Sequence, residues 1–179
     1  MKRYLSILLV TILLGLCIVN FGYGDEARSV TDGLGREVNL STEPARIVTT
    51  IASTTEIALD LGLGERIVGV PVLKEYLSYV PDLQAEAKKK EKVGGYSLSM
   101  EKIVALDPDL VIVEASAQKE AVDKLEGLGI TVYAAVSDSV SQVKKAIVDI
   151  GYLTGTQDRA KKVVGSMVYK EYRLKDYVN

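Results

Sequence analysis

The 179 residues contain no histidine and no tryptophan, and only one phenylalanine (Phe21) and one cysteine (Cys17). Without histidine there is no imidazole base, no Ser–His or Cys–His pair and no histidine metal ligand. A single cysteine allows no disulfide within the chain, so stability must come from an apolar core. No GxxxxGK[ST] phosphate loop occurs. The lone runs Gly62-Leu63-Gly64 and Gly127-Leu128-Gly129 lack the rest of a dinucleotide fingerprint. Catalytic residues, a cofactor and a metal site are therefore not expected, and an enzyme is disfavoured.

What is present begins with an export leader. Lys2 and Arg3 form a basic start, and Leu5–Val19 is an almost unbroken apolar run. Gly22-Tyr23-Gly24 places small residues where a signal peptidase reads, giving a signal peptide over 1–24 cut after Gly24. Two other readings stand beside this one. Leu14-Gly15-Leu16-Cys17 is a partial lipobox with a bulky Leu16, which would lipidate Cys17. The apolar run is also a short candidate for an uncleaved anchor. Without the leader the chain carries 20 basic and 24 acidic residues, net −4, which argues against a nucleic-acid partner. The remainder is the size of one well-buried domain.

Strand and helix signals then alternate. Val30–Leu40 reads as a hairpin turning at Asp32-Gly33-Leu34-Gly35, with Val30 and Val38 inward; a loose arm is the other reading. Arg46–Ile51 is a strand. Ser53-Thr54-Thr55-Glu56 fits a capping box for a helix over Thr55–Leu61. Ile67–Val70 is the next strand, and Pro71–Glu91 reads as polar and irregular, with Glu86–Lys92 a solvated charge run. Ser99 caps a short helix with Met100, Ile103, Val104 and Leu106 inward, ended by Pro108. Glu101 lies in its first turn, exposed and fixed. Leu110–Val113 is a continuous apolar strand of the kind buried on both faces. A helix over Ser116–Glu126, with Ala121, Val122 and Leu125 inward, and a strand over Ile130–Val136 follow. Ser139 opens a helix with Val143, Ala146, Ile147 and Ile150 on one stripe. Thr156 caps a last helix, with Ala160, Val163, Val164 and Met167 spaced for burial. This alternation predicts an α/β, Rossmann-like, mostly parallel sheet flanked by helices, with ligands held at the strand carboxyl ends.

Ordered fragments then carry a resemblance: Asp32-Gly33-Leu34-Gly35-Arg36, Pro44-Ala45-Arg46-Ile47-Val48, Thr55-Glu56-Ile57, Ile67-Val68-Gly69-Val70, Val93-Gly94-Gly95 and the run from Glu101 to Val111. Together they resemble the N-terminal lobe of the periplasmic binding proteins that feed iron-siderophore, haem and cobalamin ABC importers. The resemblance implies a lobe over 25–155, a long linking helix over 156–179 and no second lobe. It implies an exported protein on the outer face of the cell membrane. Its ligand would be an iron-siderophore or a corrinoid, and its partner an ABC permease in the membrane. Haem is disfavoured by the missing histidine. It implies that Tyr96 lays an aromatic face against the ligand and that Ser53, Thr54 and Leu73 line the cleft. Glu101 would dock onto permease arginines. The residues alone leave these as a loop tyrosine, cap and packing residues, and a carboxylate suited to a helix start. A lobe that binds nothing by itself is the other reading; it expects Val163, Val164 and Met167 to be exposed, or covered by a second copy.

Overall fold

The computed structural model describes residues 27–72, 81–95 and 97–178. The leader 1–24 with Cys17, and Leu73 and Tyr96, lie outside the described residues.

The strong alternation around the turn glycines does produce a hairpin. Strands β1 (Arg28–Thr31) and β2 (Glu37–Leu40) pair antiparallel, with Val30 opposite Val38. Then β3 (Ile47–Thr49), β4 (Ile67–Val70), β5 (Glu91–Lys92), β6 (Leu110–Glu114) and β7 (Val132–Ala135) form one parallel sheet in the order β5-β4-β3-β6-β7. Helices α1 (Ala52–Asp60), α2 (Pro81–Lys88), α3 (Met100–Ala105), α4 (Ala115–Gly127), α5 (Val140–Leu153) and α6 (Gln157–Val178) accompany it.

Successive side chains of β6 alternate between two cores. Leu110 and Ile112 join the packing from α1, α5 and α6, whereas Val111 and Val113 face α3 and α4. Both faces are thus covered, and this is why the run LVIV carries no polar residue. The chain walks from β3 outward to β5, then returns to β6 and β7 on the other side. The β3 and β6 ends therefore lead to α1 and α4 on opposite faces, and the sheet's topological switch point lies between them.

The β7 edge is closed by the hairpin turn. Asp32 is buried; its Oδ1 accepts from Leu34 N and Arg36 N at 2.9 Å, and its Oδ2 accepts from Ala134 N at 3.2 Å and pairs with Arg36. Gly33 N donates to Ala134 O at 2.8 Å, and Arg36 Nη2 to Val132 O at 3.2 Å. A side chain at Gly33 would strike Val136 and the Ala134 carbonyl, so only glycine lets the turn seat on the edge.

Several expectations are corrected. The helix expected over Thr55–Leu61 starts earlier, at Ala52, with Ile51 as its cap and no side-chain cap bond. Thr54 and Thr55 donate back to Ile51 O at 3.1 and 2.8 Å, which places Ser53 inside the first turn and leaves the Ser53–Glu56 box unmade. Within Pro71–Glu91 the structure has α2 and β5. Its charge run is not wholly solvated: Ala87 is buried, and Lys92 Nζ donates to Ala87 O at 2.8 Å and Lys90 O at 2.6 Å, closing the end of α2. Burial lowers the Lys92 ammonium from its usual range. Val104 faces out, because only Ile103 of the six-residue α3 reaches full burial. Val163, Val164 and Met167 are partly buried against the α1–α5 core, so the exposure expected of them does not occur.

Removing the Asp32 carboxylate leaves three amides at the edge without their acceptor and takes one of two carboxylate partners from Arg36, which keeps Glu126. Asp32→Ala is expected to cost about 3 kcal/mol or more in urea unfolding. A second prediction concerns Tyr133, which donates to Asp149 Oδ2 at 2.8 Å, a carboxylate also paired with Lys145. Burial, then Asp149, raises the Tyr133 phenol far above its usual range. The unfolded phenol loses its proton near pH 10 while the folded one keeps it, so this group removes about 1.4 kcal/mol of stability per pH unit above that point. Tyr133→Phe abolishes that slope; its stability curve starts below wild type and converges on it across about pH 10–11.

Candidate functional site

The strand carboxyl ends around the switch point hold a buried polar network. The run LVIV ends in Glu114, which caps α4: Oε2 accepts from Ala117 N at 2.8 Å and Oε1 from the Ser116 hydroxyl at 3.2 Å. Gln118, one turn on, points back beneath it. Its Oε1 accepts from Glu114 N at 3.2 Å and from the Thr50 hydroxyl, and its Nε2 donates to Gly95 O at 2.9 Å. Thr50 N also reaches Ile112 O at 3.2 Å, closing the gap between β3 and β6. Beside it, the Thr49 and Thr55 hydroxyls meet at 2.8 Å, both fully buried.

Against this network lies an open cavity of about 640 Å³. One wall is Ser97, Leu98 and Met100; the other is α4 from Ser116 to Lys124, with Gln118, Lys119 and Glu120 among its residues. Hydroxyls, an amide, two ammoniums and the Glu120 carboxylate thus share the lining with Leu98, Met100 and two alanines. This mixture suits non-covalent capture of a compound with polar groups on an apolar body. No three His, Cys, Asp or Glu groups gather to hold a metal among the described residues.

The sequence-named residues scatter around this cavity. Thr54 is buried and its hydroxyl serves Ile51 O, whereas Ser53 is exposed on α1; neither lines the cavity. Tyr96 and Leu73 lie outside the described residues. Glu114 and Gln118 were missed. Their signals were a carboxylate ending an apolar strand, and a polar residue on the inward stripe shared with Val122 and Leu125.

Glu101 is exposed in the first turn of α3, beside the cavity wall residue Met100. The short helix is moored at both ends. Ser99 Oγ accepts from Lys102 N at 3.4 Å, and Lys102 Nζ donates to Glu91 at 2.7 Å and Lys92 O at 3.1 Å. That bond holds the Glu91 carboxyl below its usual range. At the far end, Arg46 donates to Leu106 O (2.6 Å) and Asp107 O (3.0 Å), and Asp109 Oδ2 accepts from Ala45 N and Arg46 N at 2.8 Å. Among the described residues Glu101 makes no ion pair.

Residues 47–177 match the periplasmic binding protein family. The chain is 38% identical over 144 residues to the ABC transporter substrate-binding lipoprotein YvrC of Bacillus subtilis (strain 168), covering 78% of this chain and 43% of that protein. It is 32% identical over 130 residues to the vitamin B12-binding protein of Vibrio campbellii, covering 72% of this chain and 43% of the relative. The chain thus spans less than half the length of these two relatives. In fold it is similar to the petrobactin-binding protein YclQ of Bacillus subtilis, with a TM-score of 0.71 at 21% identity over 85% of this chain and 53% of that one. A siderophore-binding protein, BauB, gives a TM-score of 0.72 at 19% identity over 84% and 54% of the two chains. The parallel sheet and these matches place the chain in the periplasmic binding protein family.

Proposed function

We propose that this chain is the ligand-capturing lobe of an exported substrate-binding protein, serving an ABC importer for an iron-siderophore or a corrinoid. The observation that carries this reading is the cavity between residues 97–100 and α4, which Gln118 joins to the network at the β3 and β6 ends. Capture is non-covalent and leaves the ligand chemically unchanged. Ser97, Ser116 and Lys119 meet polar groups of the ligand, while Leu98 and Met100 meet its apolar body. Tyr96, between Gly95 and Ser97 in sequence, supplies an aromatic face. The names of the relatives support a cobalamin or a ferric siderophore as ligand class. No helix among the described residues is long and apolar enough to cross a membrane. The leader over 1–24, or a lipid on Cys17, accounts for delivery to the outer face of the membrane.

In this reading Glu101 is the docking carboxylate. It sits on a helix held at both ends, and such a carboxylate accepts a bidentate arginine well. A second reading is a lobe that binds nothing by itself and associates through α6. It is favoured by Val168, Tyr169, Tyr172 and Leu174, each about half or more exposed on the last turns of that helix.

A titration of residues 25–179 with ferric siderophores, cobalamin and haem, followed by tyrosine fluorescence and thermal shift, separates the two. Saturable binding that weakens about tenfold in Tyr96→Ala supports the capturing lobe. A folded chain that binds none of the panel, and sediments as a dimer, supports the second reading. For docking, Glu101→Ala is expected to leave the ligand Kd unchanged and to lower permease-dependent uptake about tenfold or more. Unchanged uptake removes Glu101 from the docking surface.

A further inference from the structure

Gln118 has features that packing does not require. It lies on the inward stripe of α4 with Ala115, Val122 and Leu125, and is only 3% exposed. The helix is kinked there, with φ −129° and ψ 23°. A leucine would fill such a position without breaking the helix. The kink instead brings one amide to three partners. Two of these, Glu114 N and the Thr50 hydroxyl, belong to the ends of β6 and β3. The third, Gly95 O, belongs to the loop between β5 and α3.

Backbone bonds hold the start of that loop, where Val72 N donates to Gly94 O at 2.7 Å, and Gln118 is the side chain that ties its middle to β3 and β6. Gly94 adopts φ +108°, where a side chain would strike the Ser97 carbonyl. Gly95 N reaches Ser97 O at 3.2 Å, and Ser99 N reaches Val93 O at 2.9 Å. Gly94 and Leu98 form a single bridge rather than a ladder. The loop carries Ser97 and Leu98 into the cavity wall and ends at Ser99, which caps the helix bearing Glu101.

We propose that Gln118 is a positioning residue for this site. Its amide pins the β5–α3 loop to the ends of β3 and β6, so the cavity wall and the Glu101 helix are set in one register before any ligand arrives. An amide is required because the position needs an acceptor toward the strands and a donor toward the loop; an ionised carboxylate offers only acceptors, and a thioether no donor. The geometry is independent of the ligand, but the consequence for binding rests on the functional reading above.

Hydrogen exchange read by mass spectrometry tests the pin without any ligand. Gln118→Met is expected to speed exchange in segment 94–99 about tenfold, with segment 110–114 changing less than about twofold. Gln118→Glu keeps the acceptor and loses the donor, and gives the same selective loosening if the methionine variant does not fold. Thr50→Val removes a strand-side partner alone and leaves segment 94–99 protected. Unchanged exchange in 94–99, an equal rise throughout β6, or loosening by Thr50→Val as large as by Gln118→Met overturns the proposal. Titrations with cyanocobalamin and a ferric hydroxamate run beside this. Selective loosening with weaker binding by Gln118→Met supports both conclusions. Selective loosening in a protein that binds neither probe leaves the pin standing and counts against the functional reading alone. Tight wild-type binding that Gln118→Met leaves unchanged overturns the positioning role and spares the functional reading.

Discussion

A parallel sheet packed on both faces has polar backbone groups to satisfy only along its edges and at the ends of its strands. The architecture of this chain follows from how those places are closed. The β7 edge is met by the hairpin turn, where the Asp32 carboxylate and the Gly33 amide take the backbone groups of Ala134. The amino ends of β3 and β6 are tied by Asp109, which accepts from Ala45 N and Arg46 N. The carboxyl ends of the same two strands are tied by Gln118 and Thr50. Each closure includes at least one partner distant in sequence, Ala134 for Asp32, Ala45 and Arg46 for Asp109, and Thr50 for Gln118.

The same closures position the functional groups. Arg46 spans from the entry of β3 to the last carbonyls of α3, and Lys102 joins the first turn of α3 to β5. A helix of six residues is too short to hold itself in water. It is rigid here because both ends are anchored to the sheet, and Glu101 inherits that rigidity. The cavity gains its walls in a similar way, from a loop on one side and a helix start on the other, with Gln118 between them.

How much of this could be read in advance differs from element to element. Leu110–Val113, Ile67–Val70 and the stripe Ala146, Ile147, Ile150 were legible because burial on a regular element imposes a period that apolar residues repeat. Ser99 and Ser139 were legible because a cap bond spans three residues and is local. Ser53 shows the limit of that rule. The motif was present, but the hydroxyls of Thr54 and Thr55 took the Ile51 carbonyl first and the helix began earlier. Helix α2 was hidden because its charge run masks one buried position, Ala87. Gln118 was hidden because its partners Thr50 and Gly95 lie tens of residues away in sequence, whereas the partners of Glu114 are local and its cap was overlooked.

By itself the sequence determined the α/β class, the number and order of most strands and helices, and the family. The class and the elements depend on periodicity and on short-range capping, which act between residues a few positions apart, and the family was carried by the resemblance of ordered fragments. It also placed Glu101 on an exposed first turn, which needs only a cap and an apolar spacing. The tertiary structure alone decided which strand ends lie side by side. It decided which hydroxyls are spent on backbone, as in Thr54, and which face the cavity, as in Ser116. It also decided that a glutamine on an apolar stripe is a joint between β3, β6 and a loop. Such pairings arise from strand order and helix crossing, and a pattern of neighbours along the chain does not contain them.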